Sequence, residues 1–489
     1  MADLLIRGAA VLDPGTPLTR ADVRVEGDAI AAVGPGLAAA GARVIDAGGM
    51  IVMPGLINAH THSSQSADQG TTPNLPLDLW MMWAVYGGPP LDGDDLYTAA
   101  AAGALEMLRT GCTSVVDHAV VFPHLFHEHA EAVMAAYDDV GMRAAVAPLV
   151  HDRDFFESLP LYLVPDAEPL APLAPPEDVP SLLRDVEMFV ERWRGRHRRL
   201  EPFLGPSAPQ RCSDSFLEGM AALSSRHGVR LHTHLLESRS QVLATRRRWG
   251  RSVVDELDHL GLLGPHTSYA HAVWLTDDEY ATVLRSGAVL VHNPISNLRC
   301  GSGTMPVPAL LETGTPLALG SDGAASNDNQ NMFEAMKFGT LVHTLTCHHS
   351  RWPTPDDLWR VCVSGGAAAL GQPVGRVTAG AKADLVLLSG DRHTTVSKEG
   401  LVASLVLSEH GESVDTVIVG GEVVREEGAS TRVDELEIRQ RARALNDRLH
   451  RHLEARRHVY DSAEGTLTRM LDAVQTVPLG DAGPVAAER

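Results

Sequence analysis

The sequence predicts an α/β fold: a (β/α)8 TIM barrel carrying a small β-sandwich built from both chain ends. Three observations predict it. Apolar β-rich runs alternate with helix-period stretches eight times over about 320 residues. Short strand signals punctuated by glycine precede that region and return after it. Histidines and an aspartate stand at the ends of several apolar runs, the position where barrel enzymes keep their chemistry.

Residues 1–55 form the N-terminal half of the sandwich, with candidate strands at 4–8, 22–25 and 29–33. Residues 56–375 form the barrel. Its strands are expected to end near His60, His118, Val150, Leu204, Leu235, His271, His292 and Gly320. Helical periodicity fills the intervals, as at 99–109 and 277–285. The Pro-rich stretch 159–180 is a loop or insertion. Residues 376–430 supply the C-terminal half of the sandwich, with strands at 383–388 and 414–419. Residues 431–489 form a helical extension, where Ile438, Ala442, Leu445, Leu449 and Leu453 mark one amphipathic helix. That helix packs on its own domain or on a neighbouring subunit, with a recruitment surface as the alternative.

Composition narrows the function. With 62 acidic and 41 basic residues the net charge is −21, and no basic stripe suits nucleic acid or an anionic membrane. Cys112, Cys212, Cys300, Cys347 and Cys362 are widely spaced without a CxxC, which argues against a disulfide framework or a structural zinc knuckle. The opening Met1-Ala2-Asp3 lacks a basic and apolar leader, and no run of about 18 apolar residues could span a bilayer. A cytoplasmic enzyme acting on a small molecule is expected.

The chemistry concentrates at strand ends. His60 and His62 lie two apart at the end of an apolar strand, so both imidazoles face the same way and can share a metal. His234 closes a second strand and supplies a third imidazole. His232 has the same parity but lies deeper, and reads as a core histidine. Glu237, three residues past His234, is placed for general acid/base work. His271 and Asp322 end two further apolar runs, and a buried Asp needs a partner or a metal.

With these residues in view, the chain resembles the amidohydrolase superfamily, in its mononuclear aminohydrolase and chlorohydrolase branch. That branch includes triazine hydrolases, guanine and cytosine deaminases and adenosylhomocysteine deaminases. The matching motifs, in family order, are PGLINAHTHS, LEMLRTGCTSVVD, LGPSAP, LHTHLLES, AHAVWL, HNPISNLRCGSG, LALGSDGAASND and GRVTAGAKADLVLL. The resemblance implies that His60, His62, His234 and Asp322 bind one divalent metal, zinc first and iron second. It implies that His271 contacts the attacking water or the oxyanion and that Glu237 shuttles protons. Asp322 would also take a proton as the water ionises. Segment 293–303, with Asn297, would help line the pocket. Binuclear relatives bridge two metals with a modified lysine. Here only Lys337, Lys382 and Lys398 exist, and none precedes Asp322.

The expected reaction is hydrolytic deamination of an amino-substituted purine, pyrimidine, pterin or triazine, with release of ammonia. Amide, urea or carbon–halogen hydrolysis is the alternative at the same site, and a non-catalytic scaffold the remote one. Trp80, Met81, Met82, Trp83 and Tyr86 either stack on a flat substrate or pack as a lid or subunit contact. Trp274 is a similar candidate, and His118 either lines the pocket or caps a strand. A homo-oligomer is expected.

Overall fold

Eight parallel strands build the barrel in a computed structural model that describes residues 3–121, 126–173, 177–392 and 397–479. They are Leu56–Thr61, Cys112–Asp117, Arg143–Val146, Leu200–Pro202, Leu231–Leu235, Thr267–His271, Val289–His292 and Leu317–Leu319. Nearly every residue in them is buried, because helices cover the outside and side chains fill the inside. The fourth and fifth strands meet at the Leu204–Leu231 bridge. The eighth meets the first where Asp322 N donates to His60 O at 2.9 Å. Ring closure and the site thus use the same residues.

Two strands stop earlier than their apolar runs suggest. The third ends at Val146 and the fourth at Pro202, while Leu149–Val150 and Gly205–Pro206 pair separately beyond them. Pro148 and Pro202 lack the N–H that would carry each ladder on. Gly205 is required there, since a Cβ would lie 2.4 Å from Pro148 O.

The two chain ends form one nine-stranded sheet. Its seam is the antiparallel pairing of Met50–Pro54 with Leu385–Ser389. Alternation sorts the seam residues. Val52, Leu385 and Leu387 enter the sheet's own core with Leu4, Ile6 and Val23. Ile51, Met53, Val386 and Leu388 face the barrel and join its core. Residues 4–8, 22–25, 29–33 and 414–419 all lie in strands.

The extension holds two helices, Glu435–Ala455 and Arg457–Thr476, where one was expected. In the first, Leu445 and Leu449 pack on Ala67 and Ala99 of the same chain. In the second, Tyr460, Ala463, Leu467, Met470 and Val474 are buried. Residues 480–489 of the expected extension lie outside the described residues.

One buried ion pair ties sheet to barrel. Arg143 Nε and Nη2 donate to Asp384 Oδ2 and Oδ1 at 2.6 and 3.0 Å, and Asp384 also accepts from Ser114 Oγ and Gly420 N. Removing one partner strands a buried charge. Asp384→Ala should therefore lower the unfolding free energy by about 3–5 kcal/mol in denaturant titrations. Arg360→Ala, which breaks the exposed Arg360–Asp356 pair, should cost no more than about 1 kcal/mol.

Candidate active site

Strand ends place the side chains. His60 lies within the first strand, and His62, just past it, keeps an extended backbone (φ −126°, ψ 93°), so the two share a side. His234 and His271 occupy the ends of the fifth and sixth strands, and Asp322 follows the eighth. His271, Asp322 and Leu236 hold φ of 70°, 65° and 40°, a region that non-glycine residues rarely adopt. Such strain persists where the surroundings over-determine it. Asp322 is held at both ends, by its N–H on His60 O and by Thr61 Oγ1 and Gln330 Nε2 on its carbonyl. Glycines on either side permit the crowding. A Cβ on Gly320 would come 2.8 Å from His60 Cβ, and one on Gly323 would come 1.9 Å from Gln65 Oε1.

The outer ring nitrogens dictate the tautomers. His62 Nδ1 donates to His118 O at 2.7 Å and His234 Nδ1 to Ser207 O at 2.6 Å, since a carbonyl can only accept. Their Nε2 atoms therefore carry lone pairs, yet they face each other at 3.2 Å. His60 Nδ1 contacts His232 Nε2 at 2.7 Å, and His232 Nδ1 contacts Ser268 Oγ at 2.7 Å. His60 Nε2 is buried without a well-formed hydrogen bond, 3.2 Å from Asp322 Oδ1. His62 Nε2 lies 3.3 Å from the same oxygen. Burial, only partly offset by Asp322, pushes the His60 imidazole down to about 4. Burial and neighbouring histidines hold His234 well below its ordinary value. Burial works to raise the Asp322 carboxyl, but His60, His62 and His271 hold it well below the usual carboxylate range.

The Nε2 acceptors of His62 and His234 thus converge with the His60 ring and one Asp322 carboxylate oxygen. That donor set fits a divalent cation of the zinc type. Ligand atoms of His60, His62 and Asp322 lie within 4.8 Å of one another, as do those of His60, His234 and His271. Asp322 Oδ2 accepts from Ser296 and Ser326, and its Oδ1 from Gly323 N.

Glu237 and His271 stand beside this set. Burial pushes the Glu237 carboxyl up, against the opposing charge of His271. Its Oε1 accepts from Ser302 Oγ at 3.0 Å, and its Oε2 is 3.6 Å from His271 Nε2. His271 Nδ1 donates to Asn297 Oδ1 at 2.8 Å, which aims Nε2 inward.

A cavity opens over these groups, lined by His62, His234, Glu237, His271 and Asp322. Trp80, Met81 and Tyr86 also line it. Trp83, Trp274, His118 and Asn297 are not among its lining residues. Trp83 stacks edge-on against Tyr460 of the second tail helix. Trp274 donates to Ser302 O, bracing the loop that holds Glu237. His118 is fully buried, and its carbonyl orients His62. Asn297 orients His271. His232 is a buried histidine hydrogen-bonded at both nitrogens. Ser296, Ser302 and Ser326 were not singled out by sequence, although the first two lie in the segment 293–303. The cavity also takes in Arg211 and His151, which carried no sequence signal.

The sequence profile described as the amidohydrolase family matches residues 51–424. The chain is 32% identical over 455 residues to the 5'-deoxyadenosine deaminase of Methanosarcina mazei, covering 92% of this chain and 99% of that one. It is 33% identical over 455 residues to the 5-methylthioadenosine/S-adenosylhomocysteine deaminase of Syntrophobacter fumaroxidans, covering 91% and 98%. Among solved structures it resembles the atrazine chlorohydrolase of Arthrobacter aurescens TC1 complexed with zinc. The TM-score there is 0.80 at 24% identity, over 91% of this chain and 100% of that one. An adenosine deaminase of Xanthomonas campestris with bound zinc gives 0.77 at 24% identity, over 92% and 98%.

The His60–His232–Ser268 relay yields a test. Replacing His232 by Leu frees the His60 ring, so zinc affinity in a chelator competition should fall about 10–100-fold. An unchanged affinity would show that the relay does not position His60.

Proposed function

Because the chain belongs to the amidohydrolase family, we propose that it hydrolyses a carbon–nitrogen bond by deaminating an amino-substituted heterocycle around one divalent metal ion, zinc before iron. The convergence of His60, His62, His234 and Asp322 acceptors beside a buried Glu237 carries this reading. Relatives named as deaminases of adenosine derivatives support the reaction class.

His60, His62 and His234 would hold the ion through Nε2, and Asp322 through its carboxylate. The ion would supply Lewis acidity that brings the ionisation of the attacking water down toward neutral pH. His271 presents Nε2 to that water and can accept a proton. Its imidazolium then donates to the oxygen that becomes negative, while Asn297 keeps the ring aligned. Asp322 is the second acceptor for the water's protons. Glu237, whose burial favours the protonated carboxyl, gives its proton to the ring nitrogen. It then takes up a proton that the water has released and passes it to the departing amine. The bond formed is carbon–oxygen, the bond broken is carbon–nitrogen, and ammonia leaves. Trp80 on the cavity wall supports a flat substrate.

The reading includes a cytoplasmic homo-oligomer. No helix among the described residues is long and apolar enough to cross a membrane. Phe338, Leu341 and Leu345 are exposed at helical spacing, which supports contact with a second copy.

Two measurements test it together. Purified protein should contain about one zinc or iron ion per chain by elemental analysis. A screen of amino-heterocycles should release ammonia, and Glu237→Gln should reduce that release about 10²–10⁴-fold with its metal retained. About two metals per chain would contradict the single-ion site. Carboxylate or halide release without ammonia would contradict deamination.

A further inference from the structure

The cavity wall carries a charge that the chemistry above does not use. Arg211, in the turn after the fourth strand, is 5% exposed and lines the cavity. Its Nη2 meets Tyr86 Oη and His151 Nε2, each at 2.7 Å. Its guanidinium lies 5.5 Å from the Phe155 ring centre and 5.9 Å from that of Tyr86. Its Nε is buried with no hydrogen-bond partner among the described residues.

The described carboxylates next to His151 and Arg211 in the sequence are engaged elsewhere. Asp152 accepts from Ser213 N, and Asp154 accepts from Phe156 N and Leu173 N. Glu157 pairs with Arg153, and Asp214 with Arg248. His151 does not neutralise Arg211, because it can only accept from a guanidinium. Burial and the charge of Arg211 hold that imidazole well below its ordinary value. A guanidinium does not deprotonate, and a buried charge is costly until it is paired. The hydroxyl of Tyr86, accepting from Arg211, keeps its own hydrogen to donate. The arrangement sets a tyrosine hydroxyl beside one fixed cation that has no acidic partner among the described residues.

We propose that Arg211, aligned by Tyr86, His151 and Phe155, binds a carboxylate on the substrate, at the end away from the departing amine. The inference rests on the deaminase reading for the identity of that substrate: an amino-heterocycle bearing an acidic substituent. One guanidinium flanked by a neutral histidine and a tyrosine suits a planar monoanion. A phosphate dianion calls for more cations than this wall provides. Tyr86 and His151 also line a second cavity, which reaches Leu449 and Leu453 of the first tail helix. The charged position therefore lies where the two spaces share a wall, with room for a substituent larger than the ring.

The test compares matched probes by calorimetry on zinc-loaded Glu237→Gln protein, which binds without turnover. The pairs are adenosine-5′-carboxylic acid against 5′-deoxyadenosine, and ring-carboxylated against ring-methylated cytosine. At least one carboxylate should bind 10-fold or more tightly than its neutral twin, about 1.4 kcal/mol. Adding Arg211→Met should abolish that preference, and Arg211→Lys should retain part of it. Neutral twins that bind the zinc-loaded protein as tightly as the carboxylates would overturn the inference without any Arg211 variant. So would a preference that survives Arg211→Met. Ammonia release by the wild-type protein from neutral twins, with no carboxylate preference in the variant, would overturn the inference and leave the deaminase reading standing. Arg211-dependent carboxylate binding, with no ammonia released by the wild-type protein from any probe, would support the inference and overturn that reading.

Discussion

Apposed acceptors are the constraint on which the rest of this structure depends. The Nε2 atoms of His62 and His234 face each other at 3.2 Å, and those of His60 and His62 lie 3.2 and 3.3 Å from one Asp322 oxygen, a crowding of acceptors that a cation among them relieves. The surrounding chain keeps them in that state. Carbonyls of His118 and Ser207 hold the outer protons of His62 and His234, and the His232–Ser268 pair backs His60. Burial opposes protonation of His60 and His234. The inner nitrogens of His62 and His234 are thereby committed to coordination before any ion arrives, and the enzyme avoids reorganising at the moment of reaction.

The same constraint explains where the backbone is strained. Asp322 and His271 sit at positive φ, at a cost of order 1–3 kcal/mol each. Closure of the barrel between Asp322 N and His60 O leaves the eighth strand little freedom to relax. Gly320 and Gly323 then allow contacts that any Cβ would block. Fold and site are coupled here, since the hydrogen bond that shuts the ring also fixes a metal-ligand candidate against another. The Arg143–Asp384 pair anchors the other end of the barrel to the sheet. The stabilising charge and the chemical charge therefore occupy separate places.

Much of this was readable from sequence because it follows from period and position. Parity puts His60 and His62 on one side, and apolar runs ending in His234, His271 and Asp322 mark strand ends. Alternation likewise announced the strands at both chain ends. The unreadable parts have physical reasons. The carbonyls of His118 and Ser207 act through backbone, so their side chains carry no signal. Trp83 and Trp274 were candidates for substrate contact, but which way a loop aromatic faces is decided by tertiary packing, here by Tyr460 and Ser302. The second tail helix hid because its buried positions mix Tyr, Ala and Met with Leu and Val. Arg211 looked like any other arginine, since an unbalanced charge shows only when its neighbours' partners are known.

The most direct test of the account is a metal-loaded crystal structure with anomalous scattering recorded at the zinc edge. One peak is expected, with Nε2 of His60, His62 and His234 and a carboxylate oxygen of Asp322 at about 2.0–2.2 Å. A peak ligated instead by His118 or His232, or two peaks within the barrel mouth, would contradict it.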